Sequence, residues 1–513
     1  MSKGKSINQI RAGSVLTYVQ MAFSILISLI YTPVMLRILG KSEFGLYNVV
    51  ASTTAMLSLL SLGFGSSYIR YFTKYRKGNE EDKIASLNGL FFLIFIVIGI
   101  VALACGLFLS FNLEYVFQDG LDAAQYSRAR IMMILLTINM AVSFPMSVYG
   151  NIISAHEKFV FLKSVGVLNT VISPLVTLPV LLAGYGSVGM VVVTLAVSIV
   201  SWVAQIYFCV RKLRIRVTFN NFEKGLFKEI AVYSSFVAIN IVIDEINNNI
   251  DPLLITRFCG TAVTAVYAVG QQLRGFYVRF SVAVSSVFTP RIHGIVQKYK
   301  EDKATLREKL TSIFTKVGRI QFLILALVCS GLVFFGKQFI YFWAGPGYED
   351  AYYVVLIISI PGTIPLIQNL GIEIQRAQFL HQYRSIIYGI MAIGNLILTI
   401  YLCQIWGAVG AAIGTGAAML IANGLIMNIL YHKKINIDVI AFWKSILSMI
   451  PGMLVPIAAG VLGTALLNFY SVPMLLGGII VYTLIYCASV WLMSMNTYEK
   501  SIVTNMLGKL RRH

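Results

Sequence analysis

Charge is what this sequence has least of. Only 12% of its 513 residues are charged and only 21 are acidic, whereas a soluble domain carries about 25% charged residues. Histidine is scarcer still: His156, His293, His381, His432 and His513 are scattered without ligand spacing, so no metal centre is expected. The six cysteines form no C-x-x-C pair and lie in or beside apolar segments, which argues against a disulfide framework and a zinc site. No G-x-x-x-x-G-K phosphate cradle occurs, so the chain is not expected to hydrolyse ATP itself. Long polar connections are missing too. The longest, 210–229 and 291–319, read as short amphipathic cytoplasmic helices or loops, and the largest outer one covers about 112–127. Those lengths leave no room for a catalytic outer domain, and the chain is read as a non-enzyme without a cofactor.

What fills the sequence instead is apolar. It is 58% hydrophobic, with a mean hydropathy of +0.78. Uncharged runs such as 88–111 and 471–493 exceed the roughly 18 residues that mark a membrane-spanning helix. They do not alternate with period two, which excludes a closed barrel. The pattern predicts an all-α polytopic membrane protein with about fourteen spans. The N-terminal "MSKGKSINQIRAG" leads into a long first span without an A-x-A cleavage site, so it reads as an uncleaved span.

The net charge of +20 is mostly topological. With the N-terminus inside, most of the 41 Lys and Arg fall on the cytoplasmic side. The outer ends collect Arg37, Lys41, Arg128, Arg130, Arg257 and Lys337. That asymmetry places both termini in the cytoplasm, and no nucleic-acid partner is expected.

The chain also repeats itself. "RILGKSEFGLY" (37–47) matches "RFCGTAVTAVY" (257–267) through Arg37/Arg257, Gly40/Gly260 and Tyr47/Tyr267, all at an offset of 220. At the same offset "EDK" recurs at 81–83 and 301–303, and Pro145 matches Pro365. One residue later, "YGSVG" (185–189) matches "WGAVG" (406–410), and Lys212 matches Lys433. The expected organisation is a six-helix bundle over 1–215, a second over 216–434, and an extra helix pair with a cytoplasmic tail over 435–513. An even number of spans per repeat gives both bundles the same orientation, as in transporters with parallel repeats.

Here a resemblance becomes specific. "RILGKSEFGLY", the small-residue "WGAVGAAIGTGAA" and the two extra helices resemble the Wzx-type O-antigen and oligosaccharide flippases. These belong to the multidrug/oligosaccharidyl-lipid/polysaccharide exporter superfamily. The resemblance implies a monomeric flippase in the bacterial inner membrane. It would move undecaprenyl-diphosphate-linked oligosaccharide by alternating access, in contact with membrane lipids and polysaccharide polymerase or assembly proteins. A cation-coupled drug exporter or a peptidoglycan lipid-precursor flippase of the same superfamily is the alternative.

Two polar stretches interrupt the apolar spans. "IDEINNNID" (243–251) falls at the middle of span 7. Asp244, Asn248 and Asp251 share one helical face there, with Glu245 on the adjoining one. A charge at the bilayer centre costs roughly 2.5–3.5 kcal/mol, so this face should meet a partner or water. Span 8 carries Gln271, Arg274 and Arg279 near the same depth. Arginine keeps its charge and grips phosphate oxygens in bidentate fashion. These three are the candidate diphosphate site. The span 7 carboxylates would pair with the arginines or take a coupling proton or sodium ion. Arg37, Arg257, Glu373 and Arg376 are gate or interface candidates, and Pro145 and Pro365 are expected to kink their helices.

Overall fold

The computed structural model describes residues 3–220, 222–223, 225–378 and 380–510. These are mostly helical, and no strand occurs among the described residues. The chain divides into two compact units, 1–268 and 269–513. The first holds α1 (Lys3–Ala55), α2 (Phe64–Lys77), α3 (Glu81–Phe111), α4 (Leu113–Phe117), α5 (Ala123–Ala155), α6 (Phe159–Leu182), α7 (Gly186–Tyr207) and α8 (Leu226–Cys259). The helix α9 (Thr261–Ser286) begins in the first unit and continues into the second. The second unit adds α10 (Thr289–Lys298), α11 (Lys303–Ala344), α12 (Ala351–Ile367), α13 (Leu370–Ala377), α14 (His381–Met419) and α15 (Met427–Lys433). It ends with α16 (Val439–Leu447), α17 (Pro451–Leu466), α18 (Val472–Met493) and α19 (Thr497–Leu510).

Among the described residues eight helices are long and apolar enough to cross a membrane, or up to ten if each bent pair is one span. This is a multi-pass membrane protein. Two of the eight are long helices with a glycine break inside, at Gly40 and at Trp406–Gly407. The helices α8 and α9, which carry the charged stretches, are not among the eight.

The repeat seen in the sequence is written into the backbone. Gly40 (φ 72, ψ 171) and Gly260 (φ 84, ψ 172) share one conformation at the end of an outward helix. Gly186 (φ 54) and Gly407 (φ 55) share a positive φ. Such φ values favour glycine because it has no Cβ to clash, which is why these positions kept their identity in both copies. The packing boundary lies later than the repeat boundary at 215/216. The helix α8 belongs with the first unit because it packs on α1 and α2.

Close approach reinforces that docking. A Cβ on Gly45 would stand 1.8 Å from the carbonyl oxygen of Thr261. The expected result of Gly45→Ala is a loss of about 1–3 kcal/mol, the usual cost of overpacking. The thermal midpoint of the detergent-solubilised protein measures it, and an unchanged midpoint would contradict the close packing.

Each unit has its own aromatic core. In the first, Tyr68, Phe72, Phe91, Phe95 and Phe144 cluster with Ile152. In the second, Phe314, Tyr431 and Phe442 gather with Leu310 and Leu370. In lipid such clusters hold through close packing rather than exclusion of water. At the start of α11, Asp302 accepts hydrogen bonds from the amides of Ala304 (3.1 Å) and Thr305 (3.0 Å). The Thr305 side chain and amide hold its carboxyl below the usual carboxylate range.

The C-terminal helices are fastened to the second unit by a buried ion pair. Arg319 on α11 is 6% exposed and Glu499 on α19 is 2% exposed. The Arg319 Nε donates to Glu499 Oε1 at 2.5 Å and Nη2 donates to Oε2 at 3.0 Å. The remaining guanidinium protons reach Ser445 O and Ser494 O, both at 2.8 Å. Glu499 also accepts from the Asn496 amide at 2.9 Å, and Asn496 Oδ1 accepts from the Glu499 amide at 2.9 Å. One guanidinium therefore joins α11, α16 and the α18–α19 turn.

Candidate functional site

The acidic stretch on α8 separates into two environments. Asp244 and Asn248 are exposed, and the Asn248 amide donates back to the Asp244 carbonyl oxygen at 2.7 Å. Glu245 is half-buried and accepts a hydrogen bond from Ser58 Oγ at 2.8 Å. Ser58 lies in a tight 3-10 turn, Met56–Ser61, which interrupts the helix between α1 and α2. That interruption ends in two left-handed residues, Leu62 (φ 45) and Gly63 (φ 72). Mid-helix 3-10 segments often mark hinges.

Asp251 shares the helical face of Asp244 by spacing, but it is 2% exposed. The Tyr267 hydroxyl on α9 donates to its carboxylate. The start of α9 folds back over the end of α8 there, and Thr256 and Thr264 hydrogen-bond across the same turn at 2.6 Å. Asp251 is therefore a pinned interhelical group, whereas Asp244 remains open. The repeat-equivalent positions are Tyr31 and Tyr47. At these positions the first copy has two tyrosines, and the second has a carboxylate and a tyrosine.

In the second unit, α9 is held in one rotation by a buried row. Gly270 packs so tightly that a Cβ would stand 2.6 Å from Val354 Cγ1. Tyr277 and Thr363 hydroxyls meet at 2.7 Å, and Ser281 Oγ donates to Leu366 O at 2.7 Å. Gln321 Nε2 donates to the Ser281 hydroxyl and carbonyl oxygens, both at 3.0 Å. Arg274 sits at the edge of this row, and its Nη1 donates to Gln271 Oε1 at 3.1 Å. Arg279 is five residues on, about 140° around the helix, with its guanidinium 5.9 Å from the Phe276 ring. The structure thus joins Arg274 to Gln271 and sets Arg279 on a different side of α9.

The remaining candidates are placed as follows. Arg37 is exposed on α1. Arg257 donates from Nη1 to the backbone oxygens of Tyr115 (3.5 Å) and Val116 (3.2 Å), tying the end of α8 to α4. Glu373 and Arg376 form an i,i+3 ion pair at 2.8 Å on α13, with Arg376 exposed. Pro365 lies just before a 42° bend between α12 and α13. Pro145 lies inside α5, facing Gly99 on α3. The sequence reading missed Ser58, whose serine is unremarkable until its 3-10 turn is seen. It also missed Tyr267 as the partner of Asp251, although both lay in quoted motifs.

The comparisons with known proteins bear on this arrangement. A family model described as "Polysaccharide biosynthesis protein" matches residues 10–296. Among solved structures the chain is similar to the lipid II flippase MurJ in an inward closed conformation. That match has a TM-score of 0.70 and 15% identity, and covers 93% of this chain and 98% of that one. It is also similar to an inward-facing multidrug resistance MATE family transporter of the MOP superfamily, with a TM-score of 0.65 and 13% identity over 84% of this chain and 99% of that one. A Vibrio cholerae MATE transporter matches with a TM-score of 0.55 and 13% identity, over 85% of this chain and 100% of that one. Among curated proteins none matches in sequence. At these identities the structural likenesses establish a shared fold.

Proposed function

The chain belongs to the polysaccharide biosynthesis protein family, and from that premise we propose that it flips an undecaprenyl-diphosphate-linked oligosaccharide across the bacterial inner membrane by alternating access. The observation that carries the reading is Arg274, fixed beside Gln271 on the packed helix α9. A diphosphate crossing hydrocarbon needs a permanent cation with several donors, and arginine supplies both. Arg274 binds the diphosphate, Gln271 orients the guanidinium, and Arg279 meets the same cargo from another side of the helix. Glu245 and Asp244 are the groups that take up a coupling proton or sodium ion, with the Ser58 hydroxyl bound to Glu245. The topology that suits this is fourteen spans with both termini in the cytoplasm, in a monomer working with polymerase or assembly proteins.

The test is transport of labelled lipid-linked oligosaccharide in vesicles, with proton and sodium gradients imposed separately. The expected result is inward-to-outward movement that collapses with one of the gradients. Movement of a cationic drug without any lipid-linked glycan would replace this reading with drug export. Movement of a peptidoglycan precursor alone would replace the cargo and keep the diphosphate chemistry.

A further inference from the structure

The helix α2 carries a charged ladder that the reading above does not use. Arg70, Lys74 and Lys77 are spaced i, i+4, i+7 and therefore share one face, and all three are exposed. They span about 10.5 Å along the helix. The opposite face is locked. Tyr68, Tyr71 and Tyr75 are buried, and each hydroxyl has a fixed acceptor. Tyr68 donates to Asn88 Oδ1 at 2.7 Å, Tyr71 to Glu229 Oε2 at 3.1 Å, and Tyr75 to Glu223 Oε2 at 2.6 Å. The Lys74 ammonium lies 6.0 Å from the Tyr71 ring and 5.7 Å from the Tyr75 ring, which holds its stem on the helix. Arg76, off the ladder face, is turned away to the Ala155 carbonyl oxygen at 3.4 Å.

Topology alone asks for positive charge anywhere on the cytoplasmic side. It does not ask for one face, nor for three hydrogen-bonded tyrosines that fix that face. The second repeat has no such ladder, because Arg70, Lys74 and Lys77 correspond to Pro290, Gly294 and Gln297. A patch for holding the membrane surface would spread parallel to the bilayer. This row lies on the helix that ends the apolar segment Val15–Lys77, with Lys77 at its last residue and Arg70 seven residues before it.

We propose that Arg70, Lys74 and Lys77 form an entry site that captures the diphosphate headgroup of the lipid-linked substrate at the cytoplasmic leaflet and passes it inward along α2. This rests on the flippase reading above. Each step between neighbouring cations is about 4.5–6 Å, so a diphosphate engages two of them at once and moves without ever lacking a counter-charge.

The test uses full-length protein carrying Arg274→Ala, reconstituted in phosphatidylcholine vesicles, with labelled undecaprenyl diphosphate as the probe. Residual binding in that background reports the ladder. Adding Arg70→Gln, Lys74→Gln and Lys77→Gln is expected to weaken it at least ten-fold. The charge-preserving set Arg70→Lys, Lys74→Arg and Lys77→Arg is expected to restore it to within about two-fold. Unchanged binding in the triple glutamine variant overturns the proposal. So does equal competition by phosphatidylglycerol, which would make the ladder a general lipid-surface contact. Should the triple variant fail to insert, Lys74→Gln and Lys77→Gln are read singly; about three-fold weakening each is expected, and wild-type binding overturns the proposal. A protein in which Arg274→Ala leaves glycan transport intact would overturn the central site while the ladder measurement still stands by itself.

Discussion

Arg274→Ala is expected to cut transport of lipid-linked oligosaccharide by about a hundred-fold while leaving insertion and thermal stability near wild type. Each hydrogen bond to a charged group contributes about 1.5–3 kcal/mol, and a bidentate grip provides two. About 3 kcal/mol corresponds to roughly a hundred-fold in binding. The fold should survive because the packing of α9 runs through Gly270, Tyr277 and Ser281, none of which depends on Arg274. Arg274→Lys should recover only part of the rate, since an ammonium cannot present a planar fork. Arg279→Ala should cost less than Arg274→Ala, because five residues turn Arg279 about 140° around α9 from the Arg274 side. Vesicle transport assays on the three variants decide this. Full transport by correctly inserted Arg274→Ala sinks the diphosphate assignment.

Glu499→Ala is expected to destabilise the protein by about 3–5 kcal/mol, the usual cost of leaving one member of a buried ion pair without its partner. Arg319 would keep its charge at 6% exposure and retain only carbonyl and hydroxyl acceptors. The damage should concentrate in α16, α18 and α19, where those acceptors lie. Faster hydrogen exchange in these helices than in α3 and α5 would show it. Replacing the pair together, Arg319→Met with Glu499→Leu, should restore much of the loss, because apolar groups of similar volume need no counter-charge. A double variant as unstable as Glu499→Ala would mean that the surrounding acceptors, not the ion pair, set the cost.

How far these features were legible depended on how locally each is encoded. Glycine at a positive φ cannot readily be exchanged, so Gly40, Gly260, Gly186 and Gly407 betrayed the repeat before any coordinates. The polar character of 243–251 was equally plain, because polar residues stand out in an apolar span. What the spacing could not separate was Asp251 from Asp244. Both lie on one face of α8, but only Asp251 is covered, by a helix that turns back sixteen residues later. Helical spacing also placed Gln271 beside Arg274, and it grouped Arg279 with them although five residues rotate it away. Arg319 and Glu499 were invisible for a different reason. They are 180 residues apart, and each sits among the ordinary charges that flank an apolar run. Only the fold removes that pair from water. Length and apolarity single out eight to ten segments among the described residues, two of them with an internal glycine break, while α8 and α9 fall outside that set.

The paired glycines carry a history. The two repeat segments turn their backbones alike at Gly40 and Gly260 but differ in chemistry. Where the first copy has Tyr31 and Tyr47, the second sets Asp251 against Tyr267. Where the second has Arg274, the first has Thr54, whose hydroxyl is spent on its own helix, donating to Val50 O at 2.8 Å. In the proposed mechanism the second repeat carries Arg274 and Arg279 and the first carries the basic row of α2. A chimera built from two first halves would inherit every turn of the architecture and none of the arginines at its centre.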